Sequence, residues 1–464
     1  MLVIGILSQL IVTCLKPGSW NSVLLSWMGM MCLIYSAVLT YNTYYPDLLN
    51  SGLGLYNGFY KVTTVTQWMD ILVCLLGMLI LGLTGFCCSK TDNLVQKHYL
   101  EYPAIGSFAI VGIQLLMGSL HMISLFLAVE LQSFSLYILS SLYSSKFGLK
   151  YFLLGALSSC FILLGIALLY SYTGILSLDS LYVFYNQCPN SLYLDVAILI
   201  LLSGFLFKIA VFPFHQWAVD IYDGVPTLIT TWLSTLTKIS ILWVIFDFVS
   251  HCWGSWTSIL VLLSFLSIVF GSILGLAQVW LKRLFVYSMI CHVGFLLLAL
   301  SLNTFWSVNA FVFYLVQYSL TNLNLFFILI AMGYYLKSPD SKDSSVVFIS
   351  SLKGFFKINP WLAVCFAVSL LSLGGIPPFI GFFAKFYVLH AALVEGYLFV
   401  VVGALICSVV SLCYYLKIIK SVFFDSSDFY SLGSVKLSGY SISVISLLTC
   451  VISLFILYPN SLFL

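Results

Sequence analysis

Four charged side chains stand inside runs of apolar residues: Glu130 in "FLAVELQSF", Lys208 in "LLSGFLFKIAVFPFHQW", Lys238 in "LTKISILWV" and Lys385 in "GFFAKFYVL". A charge at the centre of a membrane helix costs about 2.5–3.5 kcal/mol on insertion scales, so four left uncompensated cost on the order of 10 kcal/mol. Each is therefore expected to face a bundle interior or a hydrated cavity. One carboxylate and three amines have one chemistry in common, the binding and release of protons. Burial disfavours the charge of a lysine and a nearby carboxylate restores it, so a lysine held between the two effects exchanges its proton when its partner moves. The competing reading is a static ion pair between Glu130 and one lysine, which leaves two lysines unexplained. Snorkelling to an interface suits Lys385 better than Lys238, which sits at mid-span.

Four histidine and proline features accompany these charges. Lys208 is followed by Pro213, which should break the helix that carries it. "GGIPPFIGF", with Pro377 and Pro378, interrupts the run that carries Lys385. His292 in "YSMICHVGF" lies nine residues past Arg283, or roughly 13 Å along a helix, which makes it a candidate relay member or a satisfied core histidine. His215 follows the first break and is a candidate proton entry, with hydrogen bonding to loop backbone as the alternative. Tyr314 and Gln317 either carry water or join helices. His98, His121, His251 and His390 read as packing or surface residues. Asp220 and Asp223 in "WAVDIYDGVPT" are adequately explained by a turn and a helix start.

The elements that must position these groups are membrane helices. Of 464 residues, 62% are hydrophobic and only 7% charged, against about 25% in soluble domains. Runs of about 20 apolar residues indicate helices rather than a β-barrel. The expected fold is an all-α polytopic membrane protein with about 14 transmembrane helices. They are placed at 1–15, 20–41, 67–88, 104–120, 122–143, 149–171, 194–212, 227–248, 257–277, 284–301, 307–336, 361–394, 399–420 and 439–460. With the N-terminus outside, alternate loops put Lys16, Lys90, Lys97, Lys146, Lys150, Lys282, Arg283, Lys337, Lys342, Lys353, Lys357, Lys417, Lys420 and Lys436 inside and only Lys61 outside. The excess of inner positive charge supports this count, with both termini outside.

The interrupted spans seven and twelve are five apart, and an odd offset reverses orientation. This predicts two inverted five-helix repeats, each with a discontinuous helix, the arrangement that places an ion or substrate site near mid-membrane. The chain is expected to form one membrane domain, 1–464: N-terminal helices over 1–103, a first repeat over 104–248, a second over 257–420, and a last helix at 439–460. The 13 cysteines, including Cys87 and Cys88, are scattered and read as small buried apolar residues. No cofactor or metal site is expected, because no GxGxxG, Walker, haem or iron–sulfur spacing occurs. Nothing basic precedes the first apolar run, so no signal peptide is expected. The charge of +3 carries no suggestion of nucleic acid.

"FKIAVFPFHQWAVDIYDGVPT" resembles the seventh-helix signature of the antiporter-like subunits of respiratory complex I, which are related to Mrp-type cation/proton antiporters. "FLAVELQSFSLYIL", "LKYFLLGALSS", "KRLFVYSMICHVGF" and "GGIPPFIGFFAKFYVL" continue the likeness in order. It covers roughly residues 100–420. Lysine rather than glutamate at Lys385, with "DIYDGVPT", narrows it to one of these subunits, and "ELQS" and "LKYFLLGA" favour a mitochondrial form over a plastid one. The resemblance implies that Glu130 is the fifth-helix glutamate and Lys208 its seventh-helix partner. Lys238 becomes the central connecting lysine, Lys385 the twelfth-helix lysine, and His292 the tenth-helix histidine. Val219 replaces the proline of a "WAPD"-type motif, and Met289–Cys291 depart from "SSIS". The resemblance also implies a proton-translocating subunit of the mitochondrial inner membrane, both termini toward the intermembrane space. Its expected partners are lipids and other complex I membrane-arm subunits, further antiporter-like ones included; flavin and iron–sulfur clusters would reside in partner subunits. The alternatives are a secondary cation/proton antiporter subunit without a redox partner, and a structural membrane-arm protein.

Overall fold

The computed structural model describes residues 1–15, 22–50, 52–84, 100–187, 191–252, 254, 256–336, 348–425 and 439–455. Lys16, Cys87, Cys88, Lys90, Lys97, His98, Lys337, Lys342 and Lys436 lie outside these residues.

The described helices are α1 (Leu2–Leu15), α2 (Ser22–Asn42), α3 (Pro46–Leu49), α4 (Thr64–Thr84), α5 (Tyr102–Met117), α6 (Met122–Tyr143), α7 (Ser145–Thr173), α8 (Leu178–Gln187), α9 (Leu192–Ile209) and α10 (Gln216–Gly224). They continue with α11 (Thr227–Ser234), α12 (Leu236–His251), α13 (Trp256–Leu276), α14 (Leu281–Leu302), α15 (Phe305–Leu336), α16 (Pro360–Gly374), α17 (Ile380–Val394), α18 (Leu398–Phe423) and α19 (Gly439–Leu454). Among the described residues, 10 helical stretches are long and apolar enough to cross a membrane, and five further apolar helices are shorter. The fold is thus mostly helical and polytopic.

Several short elements were not foreseen, among them a hairpin and a helix. A small antiparallel hairpin pairs β1 (Leu53–Leu55) with β2 (Tyr60–Val62). Its turn residues Tyr56 and Asn57 take positive φ, followed by Gly58 at +84°. The short helix α8 then covers part of a segment read as loop. Both are too short to show a helical period of their own in so apolar a chain.

The chain divides into two compact units: Met1–Ile209 with Leu236–Trp256, and Ala210–Thr235 with Thr257–Leu464. Residues 210–235, predicted within the first repeat, thus group with the second unit.

In the first unit α5 packs on α6, α2 on α4, α7 on both α6 and α9, and α12 on α4, α5 and α9. Small residues let these helices approach closely. A Cβ on Gly165 would stand 2.6 Å from Cα of Leu201, and one on Gly204 would stand 2.8 Å from the Ser158 carbonyl oxygen. The α7–α9 contact therefore requires glycine on both sides. In the second unit α15 packs on α11, α14, α16, α17 and α19, and α14 on α10 and α17. The apolar stretch of α14 is 94% buried, against 33% for α18. So α14 is an interior element, and α18 presents most of its surface outward.

Candidate functional site

In the first unit, α6 carries Glu130 and α9 carries Lys208 in its last turn. Lys208 Nζ lies 3.7 Å from Glu130 Oε1, with the two side chains 9% and 16% exposed. That is an ion pair too long for a hydrogen bond, and neither atom has a hydrogen-bond partner among the described residues. The sequence grouped these two residues, and the structure brings them together.

The helix ends where the proline signal placed the break. Ala210 takes φ +61°, the Phe212–Pro213 peptide is cis, and α10 resumes at Gln216. A left-handed alanine is unusual and turns the chain immediately after Ile209. Lys208 thus sits at the negative end of the α9 dipole, which favours a cation there.

Lys238 lies on α12 and is 2% exposed. Two residues on, Ser240 donates to Gln132 Oε1 at 3.0 Å and so ties α12 to the helix that carries Glu130. The predicted eighth span is itself interrupted. α11 ends at Ser234, Thr235 separates the two helices, and α12 begins at Leu236. No glycine or proline marks this point, so no local residue signals it. In the second unit, Tyr222 donates to the Leu233 carbonyl at 2.8 Å and Tyr318 to the Ser234 carbonyl at 3.1 Å. Carbonyls at a helix end inside an apolar environment need such partners.

The second interruption carries Lys385, on α17. α16 ends at Gly374, Gly375 turns the chain at φ +82°, Pro377–Pro378 is cis, and α17 starts at Ile380. Lys385 Nζ donates to the Gly374 carbonyl at 3.0 Å and stands 5.7 Å from the centre of the Phe295 ring. It caps the broken end of α16, where the dipole is negative. The two interrupted helices therefore share a design, a lysine at the C-terminal end of the first half, although among the described residues only Lys208 has a carboxylate beside it.

His292, on α14, is 3% exposed. Its Nδ1 lies 2.7 Å from the Tyr314 hydroxyl, and its Nε2 lies 3.4 Å from that of Tyr415. Tyr314 was one of the two residues of α15 singled out in the sequence. The other, Gln317, donates to Thr321 Oγ1 at 3.4 Å. His215 is 7% exposed and stacks on Phe212, with ring centres 5.4 Å apart. It lies in the break, directly before α10.

Two ionic features were missed. Asp223 and Arg283 form a 2.8 Å pair, and Lys282 donates to the Val225 carbonyl at 3.0 Å. "DIYDGVPT" is therefore fastened to the start of α14, beyond the turn and helix start that explained it locally. The second is Asp70, on α4, whose buried Oδ1 has no hydrogen-bond partner among the described residues.

Comparison with known proteins extends this picture to the whole chain. Residues 119–411 match the family model described as "NADH:quinone oxidoreductase/Mrp antiporter, TM". The chain is 42% identical to NADH-ubiquinone oxidoreductase chain 2 of Rhizopus oryzae, over 92% of this chain and 86% of that protein. It is 32% identical to NADH-quinone oxidoreductase subunit N of Rhodospirillum rubrum, over 89% and 83%. Among solved structures, a chain of respiratory complex I from Thermus thermophilus superposes with a TM-score of 0.80 at 26% identity, covering 99% of this chain and 97% of that one. The matched region spans both interrupted helices with their lysines, and the likeness to chain 2 reaches well beyond it on either side: the chain belongs to the NADH:quinone oxidoreductase/Mrp antiporter family of membrane proteins.

Proposed function

We propose that this protein is a proton-translocating membrane-arm subunit of respiratory complex I, its antiporter-like subunit 2. NADH:ubiquinone electron transfer occurs in partner subunits with flavin and iron–sulfur clusters. This chain couples that transfer to proton movement through Glu130, Lys208, Lys238, Lys385 and His292. The observation that carries the reading is the Lys208–Glu130 pair: two opposite charges in a membrane interior, 3.7 Å apart, with no hydrogen bond to fix them. A purely structural pair gains most when its remaining lone pairs and protons are satisfied. A pair held by charge alone is one whose strength changes whenever either partner gains or loses a proton.

In this reading the chain lies in the mitochondrial inner membrane with fourteen spans and both termini toward the intermembrane space. Spans four to eight and nine to thirteen form the inverted repeats. Ser240 and Gln132 link the helices of Glu130 and Lys238. Tyr314 and Tyr415 set the orientation of the His292 ring. His215 serves the inner approach to Lys208.

The test is Glu130→Gln, which removes the charge and keeps the shape. The complex assembles and co-migrates with NADH dehydrogenase activity on a native gel, while NADH-driven proton pumping falls strongly. Wild-type pumping in the assembled variant leaves only a static pair.

A further inference from the structure

Asp70 is an intramembrane carboxylate that the relay does not use. Asp70 lies on α4, which starts at Thr64 and packs against α2, α5 and α12. Ionisable residues at such depth are rare and mark ion or proton sites. Its Oδ1 is buried, and no hydrogen-bond donor among the described residues reaches it. A structural carboxylate would be expected to have one.

Asp70 continues a polar face. Thr66 lies one turn before it and Cys74 one turn after, at the spacing of four that places side chains on one side of a helix. Deeper in, the Cys74 sulfur lies 3.4 Å from Ser36 Oγ of α2 and accepts from Gln114 Nε2 of α5 at 3.1 Å. In the other direction, Thr66 lines a cavity of about 160 Å³, together with Lys61, Asp179, Asp247 and His251. Asp247 accepts from the Tyr182 hydroxyl at 2.8 Å and lies 3.6 Å from His251 Nε2. Such a cavity is roomy and polar enough to hold several waters. It ends one helical turn, about 6 Å along the axis, from Asp70. Of the helices packed on α4, α2 and α5 carry no charged side chain, and α12 carries Lys238, Asp247 and His251.

We propose that Asp70 is a further proton-exchanging site, in communication through the Thr66-lined cavity with the compartment that Lys61 faces. The exchange is a simple protonation: the carboxylate takes a proton from cavity water, and the carboxylic acid returns it by the same route. It deepens the proton-translocation reading, resting on its membrane placement alone, and puts a further titratable carboxylate on a helix that the relay does not use.

The test uses the assembled complex in sealed inner-membrane vesicles and an apolar carbodiimide, which reacts with protonated carboxyls. An impermeant amine reagent on Lys61 first establishes which side that lysine faces, so an error in orientation shows separately from an error about Asp70. Mass spectrometry is expected to find the adduct on Asp70. Its rate should fall several-fold as the pH on the Lys61 side is made alkaline, and should not follow the pH of the opposite side. Thr66→Leu, which fills the cavity floor, should slow the labelling several-fold, and Thr66→Ser should restore it. No adduct on Asp70, a rate that follows the opposite side or neither side, or a rate indifferent to Thr66→Leu overturns the proposal. Asp70→Asn must lose the adduct. Should that variant fail to assemble, the two Thr66 variants read the same question in a chain that keeps the carboxylate.

Discussion

Lys208 and Glu130 face each other at 3.7 Å from two different helices, and charge alone joins them. Removing either partner strands the other. Breaking a buried pair from one side costs about 3–5 kcal/mol unless the stranded group changes its protonation. Lys208→Met is therefore expected to reduce the abundance of the assembled complex. Adding Glu130→Gln should partly rescue it, because no lone carboxylate remains. The same change should not rescue Lys385→Met, since Lys385 is bound to a backbone carbonyl rather than to Glu130. Complex abundance and NADH oxidation in the two double variants decide the matter; equal rescue of both would mean that the pairing is not specific.

Gly375→Ala is expected to disturb Lys385 without touching its charge. Gly375 has φ +82°, and a Cβ there would stand 2.9 Å from Cδ of Lys385. A left-handed non-glycine residue costs roughly 1–2 kcal/mol, and the lysine chain must move as well. The thermal stability of the assembled complex should fall, and the rate of proton pumping per NADH oxidised should fall further than in a control substitution on the outward surface of α18.

The Asp223–Arg283 pair predicts a mild phenotype. The arginine side chain is 38% exposed and the aspartate 14%. Pairs this open to solvent contribute about 0.2–1 kcal/mol. Asp223→Asn should leave assembly near wild type and only modestly lower the thermal midpoint, and the reversal of both charges should recover part of that loss. A collapse of assembly in Asp223→Asn would give the segment a role that this ion pair does not explain.

Orientation is checked directly by tags at the two termini. Both should be labelled from the intermembrane-space side alone. Labelling of one end from the matrix would mean an odd number of spans and would undo the proposed alternation of loops.

Much of the site was legible because charge in an apolar run is conspicuous. Glu130, Lys208, Lys238 and Lys385 stand out without any structural knowledge, and the prolines at 213, 377 and 378 mark two interruptions in the right places. The break at Thr235 was not legible, because its freed carbonyls are satisfied by tyrosines 84 residues away in one case and 11 in the other. No local residue signals such a partner. Asp70 was overlooked for a different reason. The span was read from residue 67, which puts Asp70 at the interface, whereas the helix begins at Thr64 and carries it a turn deeper. The bond between "DIYDGVPT" and the start of α14 joins positions 60 residues apart, a separation that periodicity does not encode.

The bond from Lys385 to the Gly374 carbonyl has a consequence for how the two broken helices respond to the same event. An ammonium and a neutral amine both have N–H groups to offer. When Lys385 gives up its proton, its grip on the end of α16 weakens but need not open, and the side chain stays at its post. Lys208 has no such tether. Once it is neutral, the charge attraction to Glu130 is gone, and at 3.7 Å no hydrogen bond holds it in place. On the proposed reading, Lys208 acts as a latch released by a single proton and Lys385 as a pin that keeps its seat in either state. A cycle built from one of each has a moving part and a fixed reference, so a change of charge becomes a change of position in one place rather than in both.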